Sequence, residues 1–316
     1  ELAATGQLNA RGQNIAGGDL NASGAAISIA GSQTAATHIS LTAAGGDIDA
    51  SAAAVAAAQT FAASASGLFR ADDAAVSAER LSLAAHGISN VRGNIVQTGT
   101  SDLSIRVPGQ FDNTNGRVAA NSIDVSVDAQ TLNNRGGTIA VNGTASVRSG
   151  TLDNTAQGSI TARADAKIVT ASLVNAKGSL TAGGALDVEA KESIDNAGGL
   201  IGANQNLSVS GSAVDNADGL IGSVHGAATV SAATGRVDNT AGRIEAAQAV
   251  KVSSSGLANT GGVIAGSDVR IDSRGQSVDN ERGAIVARGL LDVRSGKLTN
   301  DAGLVQAAGA LEIDTH

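Results

Sequence analysis

The sequence predicts an all-β protein, a right-handed parallel β-helix (solenoid) of about fifteen coils of 20–21 residues each. Three observations predict this fold: one short pattern recurs along the chain, aliphatic residues alternate with polar ones inside each repeat, and aromatic residues are almost absent. Of the 316 residues, 42% are hydrophobic, yet there are three Phe and no Trp, Tyr, Met or Cys. A core of Ala, Val, Leu and Ile suits a narrow tube of stacked coils, since a large ring would need space in several coils at once.

The recurring pattern is an aliphatic residue, then Asp or a substitute, then Asn. Phe111-Asp112-Asn113 is the first regular copy and Leu298-Thr299-Asn300 is the last, with successive Asn residues 20 to 23 positions apart. Side chains alternate along a strand, so the aliphatic residue and the Asn are expected to point inward, and stacked Asn side chains are expected to form an amide ladder. The ten ladder positions are Asn113, Asn134, Asn154, Asn175, Asn196, Asn216, Asn239, Asn259, Asn280 and Asn300.

A Gly follows nearly every ladder Asn by three residues, and follows Asn154 by four. We expect this Gly to supply the permissive backbone dihedrals of a corner. The ten turn glycines are Gly116, Gly137, Gly158, Gly178, Gly199, Gly219, Gly242, Gly262, Gly283 and Gly303.

The chain has two regions of different regularity. Residues 88–316 carry the regular repeat, whereas residues 1–87 are Ala-rich coils without the Asp-Asn pair, and residues 52–58 are interpreted as an Ala-lined turn. Two repeats are 23 residues long, from residue 90 to 113 and from 216 to 239, and they predict outward loops at residues 98–101 and 232–236. Fifteen coils at a strand spacing of about 4.8 Å predict a rod on the order of 70 Å long. Extending the repeat backward places five aliphatic residues in one inward column: Leu8, Ile27, Ile48, Leu68 and Ile88.

Composition excludes several function classes. Without Cys there is no thiolate nucleophile, Cys-ligated metal or disulfide, and a net charge of −8 argues against a nucleic-acid partner. The sequence contains no run of 18 apolar residues, so no transmembrane segment is predicted. Since the chain has no Met, Glu1 is expected to follow further residues of a longer protein. The four His residues share no column of the repeat, so no metal site and no cofactor are predicted; they are His38, His86, His225 and His316.

Three charged groups are candidate sites, each with a simpler structural alternative. Stacked Asp195, Asp215 and Asp238 could hold calcium, or they could be solvated Asp residues in Asx turns, which we favour. A column of Arg148, Arg274 and Arg294 could contact sulfated glycan, but interleaved acidic residues favour a mixed solvated face.

A carbohydrate-active enzyme would need converging carboxylates in a cleft and usually aromatic sugar platforms. The densest charge group has no Trp or Tyr beside it, so no catalytic residue is predicted; its members are Asp187, Glu189, Lys191 and Glu192.

The combination of aliphatic-Asp-Asn, Gly-x-Ile/Val and Leu-x-Val at 20 to 21 residues resembles the haemagglutinin repeats of filamentous haemagglutinin-type exoproteins, the large adhesins and contact-dependent-inhibition toxin carriers of two-partner secretion. The resemblance is close over residues 88–316 and looser over 1–87. It implies a secreted or cell-surface Gram-negative protein that is exported through an outer-membrane pore transporter. Its repeats would form a non-enzymatic shaft, with a face that binds host glycan or a neighbouring-cell receptor as the alternative.

Overall fold

The predicted solenoid is confirmed in the computed structural model, which describes residues 1–315. This range contains strands and turns and no helix, its strand pairings are parallel, and the chain makes about fifteen turns. The right-handed sense of the coil stays a prediction. The chain divides into two compact units: unit 1 is Glu1–Asp153 with Gly158–Arg163, and unit 2 is Asn154–Gln157 with Ala164–His316, of which His316 lies outside the described residues.

Each complete coil contains three strands separated by three corners. We call the strand that directly follows the Asn turn face A, the next strand face B, and the strand that ends at the following Asn face C. Within each unit, strands pair with strands on the same face of neighbouring coils, so each face of a unit is a parallel sheet.

Unit 1 has long strands that continue around a corner from one face to the next. The register shifts at some of these corners: between Ala78 and Arg80, where a strand passes from face A to face B, and between Val107 and Gln110, where a strand passes from face B to face C. Its strands are β1 (Leu2–Ala3), β2 (Gln7–Asn9), β3 (Gln13–Ile15), β4 (Asp19–Gly24), β5 (Ala26–Ser28), β6 (Gln33–Ala43), β7 (Ile48–Asp49), β8 (Ala54–Ala65), β9 (Leu68–Arg70), β10 (Ala75–Ala84), β11 (Gly87–Ser89), β12 (Asn94–Gln97), β13 (Leu103–Asp112), β14 (Arg117–Ala120), β15 (Asp124–Asn133), β16 (Thr138–Val141), β17 (Thr144–Asp153) and β18 (Ser159–Ala162).

Unit 2 is more regular. After its first strand, each coil has four residues on face A, four or five on face B, and two or three on face C. Its strands are β19 (Ala166–Val174), β20 (Ser179–Ala182), β21 (Leu186–Ala190), β22 (Ile194–Asp195), β23 (Leu200–Ala203), β24 (Leu207–Gly211), β25 (Val214–Asp215), β26 (Leu220–Ser223), β27 (Ala228–Ala232), β28 (Val237–Asp238), β29 (Arg243–Ala246), β30 (Val250–Ser253), β31 (Leu257–Ala258), β32 (Val263–Gly266), β33 (Val269–Asp272), β34 (Ser277–Asp279), β35 (Ala284–Ala287), β36 (Leu291–Ser295), β37 (Lys297–Thr299), β38 (Leu304–Ala307) and β39 (Leu311–Thr315).

The core of each unit consists of aliphatic columns, one or two from each face. On face C of unit 2, Ile194 pairs with Val214 and Val214 with Val237, and all three side chains are buried. Burial of each such side chain contributes about 1.5–3 kcal/mol. All three Phe lie in the core of unit 1, where the rings of Phe61 and Phe69 are 5.9 Å apart. The few aromatic side chains are therefore core residues and provide no exposed sugar platform.

Two expectations for the Ala-rich coils were wrong. The inward residue that pairs with both Ile48 and Ile88 is Phe69, whereas Leu68 is partly exposed. The larger ring gains more from burial than its neighbour, so the register is shifted by one residue at this coil. Residues 52–58 are mostly strand rather than turn, because β8 begins at Ala54 and small side chains on both faces suit a strand between two others.

The two long steps differ from each other. In the first, the extra residues form a bend at residues 98–102 between β12 and β13, with Thr98 and Thr100 exposed. In the second, the predicted outward loop begins one residue later than expected, because Ala232 is the fully buried last residue of β27. Residues 233–236 then form the bend.

Candidate functional site

The ladder asparagines form hydrogen-bonded columns in the core of both units. In unit 2, the Asn196 Nδ2 donates to Asn216 Oδ1 and the Asn216 Nδ2 donates to Asn239 Oδ1, each at 2.7 Å. In unit 1, Asn113 donates to Asn134 at the same distance. Nine of the ten predicted positions are fully buried, and Asn300 in the last coil is partly exposed. Each amide therefore acts as donor and acceptor in a column where water does not compete.

Most of the ladder amides also bind two backbone carbonyls. The Asn216 Nδ2 lies 3.3 Å from the Gly219 carbonyl oxygen of its own turn and 3.1 Å from the Arg243 carbonyl oxygen of the next coil. The side chain thus closes its own corner and fixes the start of face A in the next coil. Since a buried amide without partners costs about 1–3 kcal/mol, the column favours one register of stacking.

The expected reason for the turn Gly was wrong. In the turn from Asn216 to Gly219, the Gly219 N–H donates to the Asn216 carbonyl at 3.0 Å, and Asp218 takes the positive φ of 56°. Gly219 itself is needed for close approach: a Cβ there would lie 2.3 Å from the Asn196 carbonyl oxygen and 2.6 Å from Asn216 Oδ1. Residues before other turn glycines take the same left-handed φ: Asn115, Gly136, Gln157, Lys177, Gly198, Ala241, Gly261, Arg282 and Ala302.

Asn90 is an eleventh member that the predicted set omits. It is fully buried, and its Nδ2 donates to Asn113 Oδ1 at 2.7 Å. The triplet Ile88-Ser89-Asn90, followed by Gly93, matches the repeat pattern except that Ser replaces Asp. In the coil before, Ala71 occupies the ladder position and Ala74 the turn Gly position, with the same turn hydrogen bond of 3.2 Å.

The stacked Asp residues are partners of the turn backbone. Asp195 pairs in register with Asp215, and Asp215 with Asp238. The Oδ1 of each accepts the N–H two residues later, at 2.9 to 3.0 Å, which is the geometry of an Asx turn. Burial raises the pKa of Asp238, but hydrogen bonds from Thr240 and Arg236 outweigh it and lower that pKa. Within residues 1–315, no three His, Asp or Glu side chains lie close enough together to hold a metal ion.

The proposed Arg column was wrong at Arg274. Arg294 pairs in register with Asp272, and residues 274 and 275, both with positive φ, lengthen the corner after it. The prediction placed Arg274 by counting backward from Val278, and the longer corner makes that count wrong, so Arg274 lies outside the column of Arg294. Arg274 instead donates to the Ala233 carbonyl, two coils away.

Several other charges of face B form ion pairs across coils. Asp292 is buried beneath Arg270, whose Nε lies 3.0 Å from its Oδ2. In the densest charge group, Lys167 Nζ donates to Asp187 and Glu189, and these hydrogen bonds to the two carboxylates raise the pKa of Lys167. Asp187 and Glu189 are therefore ion-pair partners of Lys167 on the same face.

The Asp73–Arg92 pair provides a test of the register between two corners. Arg92 Nε and Nη2 each donate to Asp73 at 2.7 Å, and these hydrogen bonds lower the pKa of Asp73. Because the folded pKa is the lower one, the contribution to stability is present above the unfolded Asp pKa and is lost as pH falls through the folded value. We expect Arg92→Gln to raise the Asp73 pKa in a carboxyl NMR titration. Arg117→Gln, which alters the first residue of β14 in the following coil, leaves the Asp73 pKa unchanged, and equal shifts in both variants would refute the pairing.

A stack of parallel coils around a buried asparagine ladder defines a β-solenoid repeat protein. The haemagglutinin repeat family matches residues 1–52, 43–115, 118–190, 181–224, 222–276 and 268–316, so the chain belongs to the haemagglutinin repeat family. It is also 32% identical over 116 residues to a protein named Toxin CdiA from Yersinia pestis. That match covers 37% of this chain and 4% of the relative, so the chain spans a small part of that protein. No solved structure gives a significant match. In residues 1–315, no helix is long and apolar enough to cross a membrane.

Proposed function

We propose that this chain is a non-enzymatic shaft segment of a secreted or cell-surface exoprotein of a Gram-negative bacterium. Its role is to hold adhesive or toxin-delivery regions away from the cell. The observation that carries the proposal is the ladder: from Asn90 onward in unit 1 and from Asn154 onward in unit 2, a buried asparagine side chain donates the same hydrogen bond to the next coil. The chain therefore repeats one structural contact from coil to coil.

The family and the relative support this proposal. Haemagglutinin repeats extend across nearly the whole chain, and the relative is named as a toxin of which this match covers 4%. The remainder of such a protein would carry its distal functions. By the same reasoning, the partner in export would be an outer-membrane pore transporter, and no nucleic acid or cofactor takes part.

The geometry suits resistance to bending and extension. In unit 2, three parallel sheets and one amide column link successive coils, so separating two coils breaks hydrogen bonds on all three faces together with a buried amide contact. Since the core excludes water, the exposed amide has no replacement partner until the gap is wide enough for solvent. Many modest interactions in parallel therefore resist a load shared among them.

Removing one coil tests whether the coils are equivalent. We expect deletion of residues 197–216 to leave the chain folded, because Asn196 then precedes Ala217-Asp218-Gly219 and the turn is rebuilt. Deletion of residues 197–206 removes fewer residues but eliminates β23 from face A, so that coil cannot close. Far-UV circular dichroism and thermal unfolding compare the two variants. Equal loss of cooperative unfolding in both would contradict a shaft of equivalent coils.

Shallow grooves on face A favour a binding face as a second candidate function. One groove of about 440 Å³ lies over Val96, Ala119 and Ala140, and another of about 450 Å³ lies over Gly202 and Gly222. Both are lined mainly by small uncharged residues, and such a surface could contact host glycan or a neighbouring-cell receptor. Saturable cell binding that is lost in Ala140→Lys on face A but kept in Ser146→Lys on face B would favour this candidate. Absence of saturable binding favours the shaft.

A further inference from the structure

The first amide of the ladder has an unpaired acceptor. Asn90 is fully buried, and its Nδ2 donates to Asn113 Oδ1 and to the Arg117 carbonyl. No protein group within residues 1–315 donates to Asn90 Oδ1. Asn113, the next asparagine of the ladder, shows the usual pattern, since its Oδ1 accepts from the amide of the preceding coil. Asn90 lacks this donor because Ala71, the residue at the ladder position of the coil before, ends in a methyl group.

A regular position of the ladder shows which atoms surround the side-chain nitrogen that Ala71 lacks. The Asn113 Nδ2 faces three oxygen atoms: Asn134 Oδ1 at 2.7 Å, and the carbonyl oxygens of Gly116 and Thr138 at 3.3 Å each. One acceptor belongs to the next amide, one to the same turn, and one to the first strand residue of the next coil. The side-chain nitrogen of a ladder asparagine therefore faces three hydrogen-bond acceptors.

The same three acceptors surround the Ala71 position. The register makes Asn90 Oδ1, the Ala74 carbonyl and the Asn94 carbonyl equivalent to the three oxygens of the regular ladder position. Compared with Asn, Ala71 lacks the amide carbon, oxygen and nitrogen. The Ala74 methyl replaces part of that volume: a Cβ at the equivalent Gly93 would lie 2.4 Å from Asn90 Oδ1, which places this methyl near the amide oxygen position. The nitrogen position remains, facing three oxygens.

We infer that a buried water molecule binds here, donating to Asn90 Oδ1 and to one of the two carbonyls. A buried water needs two to four polar partners, and the site offers three acceptors. A water supplies two donors without charge, whereas a cation would be buried in a site with no carboxylate oxygen among its three acceptors. The ladder thus begins with a water in place of an amide.

A crystal structure at a resolution that shows ordered solvent tests the inference. We expect a density peak 2.6–3.1 Å from Asn90 Oδ1 and within hydrogen-bond distance of the Ala74 or Asn94 carbonyl oxygen. In solution, the same water gives a nuclear Overhauser effect from the water resonance to the Ala71 methyl. A dry site with neither signal overturns the inference.

The double variant Ala71→Asn with Ala74→Gly provides the matched control. The new amide takes the place of the water and the glycine gives it room, so the density peak and the water contact are lost while the chain stays folded. Ala71→Asn alone lowers the melting temperature relative to the double variant, because the new amide oxygen meets the Ala74 methyl. A solvent peak that persists beside a folded Asn at position 71 overturns the assignment of the site.

Discussion

Asn216→Leu lowers the free energy of unfolding by roughly 2–6 kcal/mol, the largest effect expected of any single substitution in the ladder. The leucine is branched at the same carbon as the asparagine but is larger, and it can neither donate nor accept a hydrogen bond. It leaves the buried Asn239 Oδ1 without its 2.7 Å donor, and it leaves the buried Asn196 Nδ2 with only the 3.3 Å contacts to the Gly199 and Leu220 carbonyls. The loss of each of these two buried hydrogen bonds costs about 1–3 kcal/mol. Urea unfolding measures the total, and amide hydrogen exchange shows whether the loss is centred on the coils around residue 216.

Asp215→Ala is the control for this substitution. The Asp215 side chain is exposed and makes one hydrogen bond, from the Ala217 N–H at 2.9 Å. Its loss costs about 0.5–1.5 kcal/mol, since water replaces the carboxylate as a partner for the backbone. Equal destabilisation by the two substitutions would show that the Asn216 amide makes no special contribution.

Gly219→Ala destabilises the chain by about 3 kcal/mol, through overpacking at a corner that has no room for a methyl group. The new Cβ would lie 2.3 Å from the Asn196 carbonyl oxygen and 2.6 Å from Asn216 Oδ1. Both contacts are too short to persist, so either the backbone of two coils moves apart or the ladder amide rotates away from its partner. Thermal and urea unfolding of the variant measure the cost.

Gly222→Ala, three residues later in the same coil, is the matched control. A Cβ there meets nothing closer than a side-chain carbon of Leu220 at 3.5 Å, which is ordinary contact. We expect its stability to be unchanged or slightly raised, because Ala restricts the unfolded chain more than Gly does. If both substitutions were tolerated alike, close approach would not explain the turn glycines.

The periodic features of this fold were predictable because they depend on local alternation. Where the aliphatic-Asp-Asn triplet repeats, strand geometry places the first and third residues inward, and the structure has Phe111 and Asn113 fully buried. A spacing of 20 to 23 residues then leaves stacking as the way for each coil to cover its core. This reasoning needs no knowledge of contacts beyond one coil.

Features that depend on neighbouring coils could not be predicted in the same way. Leu68 and Phe69 both fit an inward position by pattern, and the choice between them depends on which side chain fills the space between Ile48 and Ile88. The role of Gly219 depends on the Asn196 carbonyl of the coil before. Arg274 was misplaced because a two-residue insertion in one corner does not change the alternation on either side of it.

The most direct test of the stacked ladder is an NMR measurement of scalar couplings across its hydrogen bonds. In a protein labelled with ¹⁵N and ¹³C, we predict a correlation from the Asn216 side-chain nitrogen to the carboxamide carbon of Asn239, and one from Asn196 to Asn216. These side-chain amide protons should also exchange slowly with solvent, since the residues are fully buried. Rapid exchange of these amides and no correlation between successive ladder asparagines would contradict both the register of the coils and the inward direction of the asparagine column.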